Sequence, residues 1–258
     1  MLTARDLTYA VDARPLVDRV SATFAPGHLS VVVGANGAGK STLVRLLCRQ
    51  LLPAAGEVRY EDRSLDRWSD AELATVRAVL SQNIELAFPL RVWEVVLMGR
   101  YPHFTGRPEP RDETACEESM RFFDVWDFAE RDYLSLSGGE RQRVQFARVV
   151  AQIWYPTPGR LRYLVLDEPL TFLDIRYQFE FMRRVRQLMG HGDLVVVAVV
   201  HDLNLAARFA DHVVMLADGR VLASGAPADV LTPDRVEQAF GIRPHVYARD
   251  GRVHLLFE

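Results

Sequence analysis

Gly34-Ala35-Asn36-Gly37-Ala38-Gly39-Lys40-Ser41-Thr42 follows the apolar run Leu29-Ser30-Val31-Val32-Val33 and precedes the apolar-periodic stretch Leu43-Val44-Arg45-Leu46-Leu47. The stretch is G-x-x-x-x-G-K-[ST] in the context that gives it meaning, a buried strand, a glycine-rich turn and a helix start. Glycines at 34, 37 and 39 can adopt positive φ and bring backbone N–H groups around phosphate oxygens. A helix opening at Lys40 adds its positive dipole end and its unpaired N–H donors at the same point. Lys40 then places an ammonium on the β- and γ-phosphates, and the Ser41 hydroxyl ligates Mg²⁺. The stretch predicts a nucleoside triphosphate site.

Two further stretches belong with it. Tyr163-Leu164-Val165-Leu166-Asp167-Glu168-Pro169 reads as a buried strand that delivers two carboxylates at its carboxyl end, where ligands sit in an open α/β sheet. Asp167 suits a Mg²⁺ position, and Glu168 can polarise a water aligned on the γ-phosphate. In Leu136-Ser137-Gly138-Gly139-Glu140-Arg141-Gln142-Arg143, Ser137 caps a helix whose first amides are left open to an anion by Gly138 and Gly139. That makes a second γ-phosphate-sized site, and one nucleotide hardly needs two from one chain. A two-fold dimer does, each phosphate loop facing the Ser137 turn of the other copy.

The chain has 258 residues, 49% hydrophobic and 25% charged, enough for one domain with a subdomain. A net charge of −3 gives no global pointer to nucleic acid. The two cysteines, Cys48 and Cys116, have no metal-ligand spacing, which fits a reducing, cytoplasmic compartment. The first residues show no signal-peptide apolar region, and apolar runs such as Leu194 to Val200 are strand length. A membrane role is therefore expected to be that of a peripheral subunit.

Residues 2–9 and 16–24 alternate apolar and polar around Asp12-Ala13-Arg14-Pro15 and predict an antiparallel pair. After the phosphate loop a helix is expected to about Leu52, stopped by Pro53 and Gly56, with short strands at 57–60 and 77–81. From about 84 to 158 the pattern turns helical with Pro and Gly breaks, an inserted helical subdomain in a core of about 1–83 and 159–258. Strands return at 161–166 and 194–200 around a helix at about 174–189; a strand pair at 212–225 turns at Asp218-Gly219, and a hairpin spans His245 to Phe257. The expected class is α/β: a P-loop NTPase core with a mostly parallel sheet, N-terminal antiparallel strands and the helical insert.

With Leu136-Ser137-Gly138-Gly139-Glu140 beside the phosphate loop and the Asp167-Glu168 strand, the chain resembles the ATP-binding cassette ATPases from about residue 2 to 242. The resemblance implies further roles. Gln82 looks like the glutamine that reaches Mg²⁺ and the attacking water. Asp174 closes Thr171-Phe172-Leu173-Asp174, written where Ser-Ala-Leu-Asp is commoner, and contacts the opposing subunit. His201 looks like the switch histidine that hydrogen-bonds the γ-phosphate. The family stacks an aromatic on adenine from the first strand; Tyr9 is the aromatic, the register favours Val11, and the two share a face in a regular strand. Cofactors are then ATP and Mg²⁺, and the working form is a homodimer.

A soluble cassette protein acting on nucleic acid normally has two cassettes or a long coiled-coil insertion, and this chain has neither. An iron–sulfur assembly factor is the alternative to a transporter subunit. Gln82-Asn83 through Val96, Met98-Gly99-Arg100-Tyr101-Pro102-His103, His201-Asp202-Leu203-Asn204 and Gly225-Ala226-Pro227 resemble importers of iron chelates, haem and cobalamin. The helix Arg143 to Gln152 and the loop Trp154 to Arg160 resemble haem importers most, with ferric siderophore and cobalamin importers next. The resemblance implies two integral-membrane permease subunits, an indirect periplasmic binding protein, and a place on the cytoplasmic face of the inner membrane. Phe88, Leu90 and Tyr101 are the expected contacts for the permease, whereas Trp93, Val96 and Leu97 at helical spacing read as core.

Overall fold

The computed structural model describes residues 1–12, 14–81, 89–249 and 251–257. Its strands are β1 (Leu2–Val11), β2 (Arg14–Phe24), β3 (Leu29–Gly34), β4 (Ala55–Tyr60), β5 (Arg63–Ser64), β6 (Arg77–Leu80), β7 (Arg162–Leu166), β8 (Leu194–Val199), β9 (His212–Ala217), β10 (Arg220–Gly225), β11 (His245–Arg249) and β12 (Arg252–Leu256). Its α-helices are α1 (Lys40–Leu47), α2 (Asp70–Val76), α3 (Val92–Leu97), α4 (Pro110–Phe122), α5 (Gly138–Gln152), α6 (Ile175–Leu188), α7 (Leu203–Phe209), α8 (Pro227–Val230) and α9 (Pro233–Phe240). They pack as two compact units, one of Met1–Trp68, Val165–Pro169 and Leu194–Glu258, the other of Ser69–Leu164 and Leu170–Asp193. No helix among the described residues is long and apolar enough to cross a membrane.

In the first unit β3 lies between β8 and β9, parallel to both, and every residue of β3 and β8 is buried. That is why Leu29–Val33 and Leu194–Val199 read as continuous apolar runs rather than alternating ones. β10 closes back antiparallel on β9 through Asp218-Gly219, as the turn chemistry predicts. β1 and β2 are the expected antiparallel pair and join β4 and β5 in a separate sheet of order β2-β1-β4-β5. β11 and β12 form the C-terminal hairpin, which Asn204 of α7 ties down through two hydrogen bonds to the Leu255 backbone at 2.9 and 2.8 Å.

α1 ends at Leu47, five residues short of the sequence expectation. Arg49 takes a left-handed φ of 54°, which stops the helix. Its guanidinium Nη1 donates to the carbonyls of Leu65 and Trp68 at 2.8 and 2.6 Å, so the apolar Leu51 and Leu52 follow a turn, not a fourth helical turn.

The second unit is mainly helical, with β6 and the start of β7. α5 packs on α3 and α4. Phe123, Phe146 and Phe181 fill its centre, with the rings of Phe146 and Phe181 stacked 3.9 Å apart. α2 was not expected, although Ser69-Asp70-Ala71-Glu72 carries its signal: Ser69 N–H donates to Glu72 Oε2 at 2.8 Å and Ser69 Oγ accepts from Glu72 N–H at 3.2 Å. The end of α5 and the loop beyond it are pinned by Arg162, whose Nε and Nη2 donate to the two oxygens of Asp193 at 2.7 and 2.8 Å. Its Nη1 donates to the carbonyls of Ile153 and Trp154.

Burial pushes the Asp193 carboxyl up, but the Arg162 hydrogen bonds and charge outweigh it and leave the pKa below the usual carboxylate value. Asp193→Ala strands the buried Arg162 and is expected to cost about 3 kcal/mol of unfolding free energy at pH 7. A depressed carboxylate pKa stabilises above its unfolded value and stops doing so as pH falls through the folded one. The gap between wild type and variant in urea melts should therefore close below about pH 4.

Candidate nucleotide site

Lys40, Ser41, Asp167, Glu168 and His201 lie at or just beyond the carboxyl ends of β3, β7 and β8, while Tyr9 and Val11 stand on β1. Gly39 is the N-cap of α1 with φ 96°, and a Cβ there would stand 2.3 Å from the carbonyl oxygen of Leu16. Only glycine fits. The loop is braced from the same side, because Gly219 N–H donates to Ala38 O at 3.3 Å and Asp18 N–H donates to Gly219 O at 2.8 Å. Sequence reading misses this brace from β2 and the β9–β10 turn, since nothing local in Leu16 or Gly219 announces it.

No side chain caps α1, so its first N–H groups remain available to an anion at the positive end of the helix. The Lys40 ammonium is buried and donates to the carbonyls of Gly34 and Ala35 at 2.8 and 2.9 Å, which holds it at the mouth of the loop. Burial lowers its pKa, opposed by the charges of Glu168 and Asp167. Burial raises that of Asp167, opposed chiefly by the Ser41 hydroxyl. Ser41 Oγ donates to Asp167 Oδ1 at 3.3 Å.

Glu168 sits at φ 52°, a left-handed conformation that is costly for a side-chain-bearing residue and is kept where surrounding structure enforces it. It turns the carboxylate to His201, whose Nε2 stands 2.8 Å from Glu168 Oε1. His201 follows β8, and Asp202 directly after it caps α7 by accepting from Asn204 N–H and Leu205 N–H. The backbone carrying the imidazole is thereby fixed. The structure brings together Lys40, Ser41, Asp167, Glu168 and His201.

Tyr9 is half-buried and Val11 is 45% exposed. β1 shifts register against β2 between Tyr9 and Ala10, where Leu16 of β2 is the extra residue, so the run from Tyr9 to Val11 itself is uninterrupted. Gln82, Asn83 and Phe88 lie outside the described residues.

In the second unit Ser137 is the N-cap of α5 as the sequence predicts. Its N–H and Oγ both donate to Glu140 Oε2 at 2.7 Å, and its Oγ accepts from Glu140 N–H at 3.4 Å. These hydrogen bonds hold the Glu140 pKa below its ordinary value. Arg141 steadies the approach by donating to the carbonyls of Leu136 and Leu134. Asp174 caps α6, accepting from Tyr177 N–H at 2.9 Å. Phe172, at φ 70° and 75% exposed, lies against the glycine pair: a Cβ on Gly138 would meet its Cβ at 4.0 Å, and one on Gly139 its carbonyl at 3.7 Å. The signature turn and the segment 171–174 thus share one surface of this unit.

A glycine-rich loop between a buried strand and a helix, a lysine in its mouth and a carboxylate pair at the end of β7 define a P-loop nucleotide-binding ATPase. The model of the ABC transporter family matches residues 17–171, and the chain belongs to that family. The chain is 46% identical over 241 residues to the hemin import ATP-binding protein HmuV of Escherichia coli O157:H7, covering 93% of this chain and 92% of that one. Against the protein of the same name from Bordetella pertussis it is 46% identical over 248 residues, covering 96% and 94%. Among solved structures it resembles an ABC transporter's ATP-binding cassette in its ADP conformation, with TM-score 0.79 and 22% identity over 93% of this chain and 98% of that one. It also resembles a dimeric bacterial ABC transporter cassette, with TM-score 0.75 and 23% identity over 88% and 99%. Both likenesses speak to the fold. The chain binds ATP and couples its hydrolysis to transport.

Proposed function

We propose that this chain is the ATPase subunit of a haem importer, working as a homodimer on the cytoplasmic face of the inner membrane against two permease subunits, with a periplasmic binding protein delivering cargo. The observation that carries the chemistry is the Glu168–His201 pair beside the Ser41–Asp167 pair at the phosphate loop. The cargo is inferred from the two hemin-import relatives, matched over more than nine-tenths of this chain.

Ser41 Oγ and Asp167 Oδ1 are hard oxygen donors 3.3 Å apart, close to the ~2.9 Å between neighbouring ligands of an octahedral Mg²⁺. An ion held by these two protein oxygens would take its other ligands from phosphate and water. Ser41 and Asp167 therefore hold Mg²⁺ in this reading, with Gln82 as a further ligand by resemblance. The ion supplies charge neutralisation on the triphosphate.

The chain's own groups do the rest. Backbone N–H groups of 34–42 and the Lys40 ammonium bind the β- and γ-phosphates, and Tyr9 or Val11 meets the base. Glu168 accepts the proton of the attacking water while His201 orients that carboxylate and reaches the γ-phosphate. The Ser137-Gly138-Gly139 turn and Asp174 of the second copy complete the pocket, so ATP joins the dimer and hydrolysis releases it.

The permease contact is assigned to the segment around Leu90 and Tyr101. Tyr101 is 57% exposed, whereas Val96 is fully buried and Trp93, expected in the core, is half-buried and packs edge-to-face on Trp126. Co-reconstitution with its permease in proteoliposomes should give ATP-dependent uptake of haem. Tyr101→Glu should reduce that uptake about tenfold while leaving the unfolding midpoint in place. Uptake of a ferric siderophore instead of haem contradicts the cargo; unfolding of Tyr101→Glu contradicts the docking assignment.

A further inference from the structure

The carboxyl end of α5 is tied to the turn Met98–His103 by a buried guanidinium. The side chains of Arg100 and Asp112 are each 5% exposed, and Arg100 Nε and Nη2 both stand 2.9 Å from Asp112 Oδ1. Arg100 Nη1 donates to the carbonyls of Ala151 and Gln152 at 2.8 and 3.4 Å. Those are the last two residues of α5, where carbonyls lack intrahelical donors and the helix dipole favours a cation. His103, its pKa lowered by burial and by the Arg100 charge, donates Nε2–H to Gln152 O at 2.6 Å.

The turn is seated as well as bonded. A Cβ on Gly99 would fall 2.0 Å from the carbonyl oxygen of Arg148, so this backbone lies directly on α5. Gln152 Nε2 in turn donates to the carbonyls of Ala74 and Arg77 at 2.7 and 2.9 Å, which extends the tie to the end of α2. Between Arg100 and His103 stands Tyr101, exposed and edge-to-face with Phe104 at 5.7 Å. At the far end of α5, about 22 Å away by helical rise, stands the Ser137 turn. A buried ion pair is a poor source of net stability compared with apolar packing, and its strength is fixed geometry. Here the geometry fixed is that of one helix end against one exposed aromatic.

We propose that Arg100 is a positioning residue that keeps the signature helix in register with the Tyr101 surface, so that a membrane-embedded partner bearing on Tyr101 controls ATP turnover. This rests on the importer reading above and adds the element through which the partner acts. The double variant Arg100→Met/Asp112→Leu removes both charges together and leaves no buried ion unpaired. Arg100→Lys keeps the charge and loses the fork.

Each is assayed as the isolated subunit and in the complex with the co-expressed permease in lipid nanodiscs. The isolated double variant should keep its kcat and its KM for ATP within about twofold of wild type. Its stimulation by the permease should fall about tenfold, with Arg100→Lys intermediate. Full stimulation of the double variant overturns the proposal. So does a basal kcat that falls in step with the stimulated one, the mark of a merely structural residue. A wild-type complex whose ATPase ignores the permease would overturn the importer reading itself.

Discussion

Glu168→Gln is expected to bind ATP as wild type does and to hydrolyse it about a thousandfold more slowly. The substitution keeps the size and planarity of the side chain, so the left-handed turn at φ 52° and the contact with His201 need little adjustment. It removes the one property that matters for turnover, an oxygen that can take a proton from water. Lys40, Ser41 and Asp167 are untouched, so the dissociation constant for ATP should move by no more than a few fold. With hydrolysis blocked, the ATP-bound dimer should persist and become visible by size-exclusion chromatography. A turnover number within tenfold of wild type would remove Glu168 from the role of general base.

Gly138→Asp is expected to leave the protein as stable as before and to lower turnover at least a hundredfold. The two halves of that statement pull apart for a physical reason. A carboxylate in the first turn of α5 interacts favourably with the helix dipole, by a few tenths of a kcal/mol. There is room for it, because the nearest atom to a Cβ at Gly138 is Phe172 Cβ at 4.0 Å, an ordinary contact. The same carboxylate stands where the γ-phosphate of the other copy's ATP is proposed to sit, and like charges repel across a desolvated interface. Thermal melts and steady-state ATPase assays separate the two effects. A destabilised variant, or a stable and active one, contradicts the assignment of this turn.

Much of this site is legible in the sequence because its parts are local. The strand, turn and helix start at 29–47 occupy one continuous stretch, and so do the Ser137 cap with Glu140 and the Asp218-Gly219 turn. β3 and β8 announce themselves because burial on both faces leaves no polar alternation to confuse them with helices. What stayed hidden depends on distant partners. Arg49 ends α1 by reaching the carbonyls of Leu65 and Trp68, which the apolar Leu51 and Leu52 do not reveal. The extra residue in β2 at Leu16, opposite Tyr9 and Ala10, is likewise invisible in the residues alone. Glu168 is plain as a carboxylate, but its positive φ and its meeting with His201, thirty-three positions on, belong to the fold. α2 escapes for a different reason: its capping box is present, but its seven residues bury only Leu73 and Val76, too short a stripe to show a period.

The central claim is that each ATP is held by the phosphate loop of one copy and the Ser137 turn of its twin. Lys40→Met and Gly138→Asp each disable both pockets of a homodimer. Mixed, they form heterodimers with one doubly damaged pocket and one intact pocket, because the intact loop and intact turn then face each other. ATPase activity measured on an equimolar mixture should therefore rise from background to about a quarter of wild type, half of the dimers being mixed and each having one working pocket. If the mixture stays as inactive as its components, loop and turn do not act across two copies, and the account of the site is wrong.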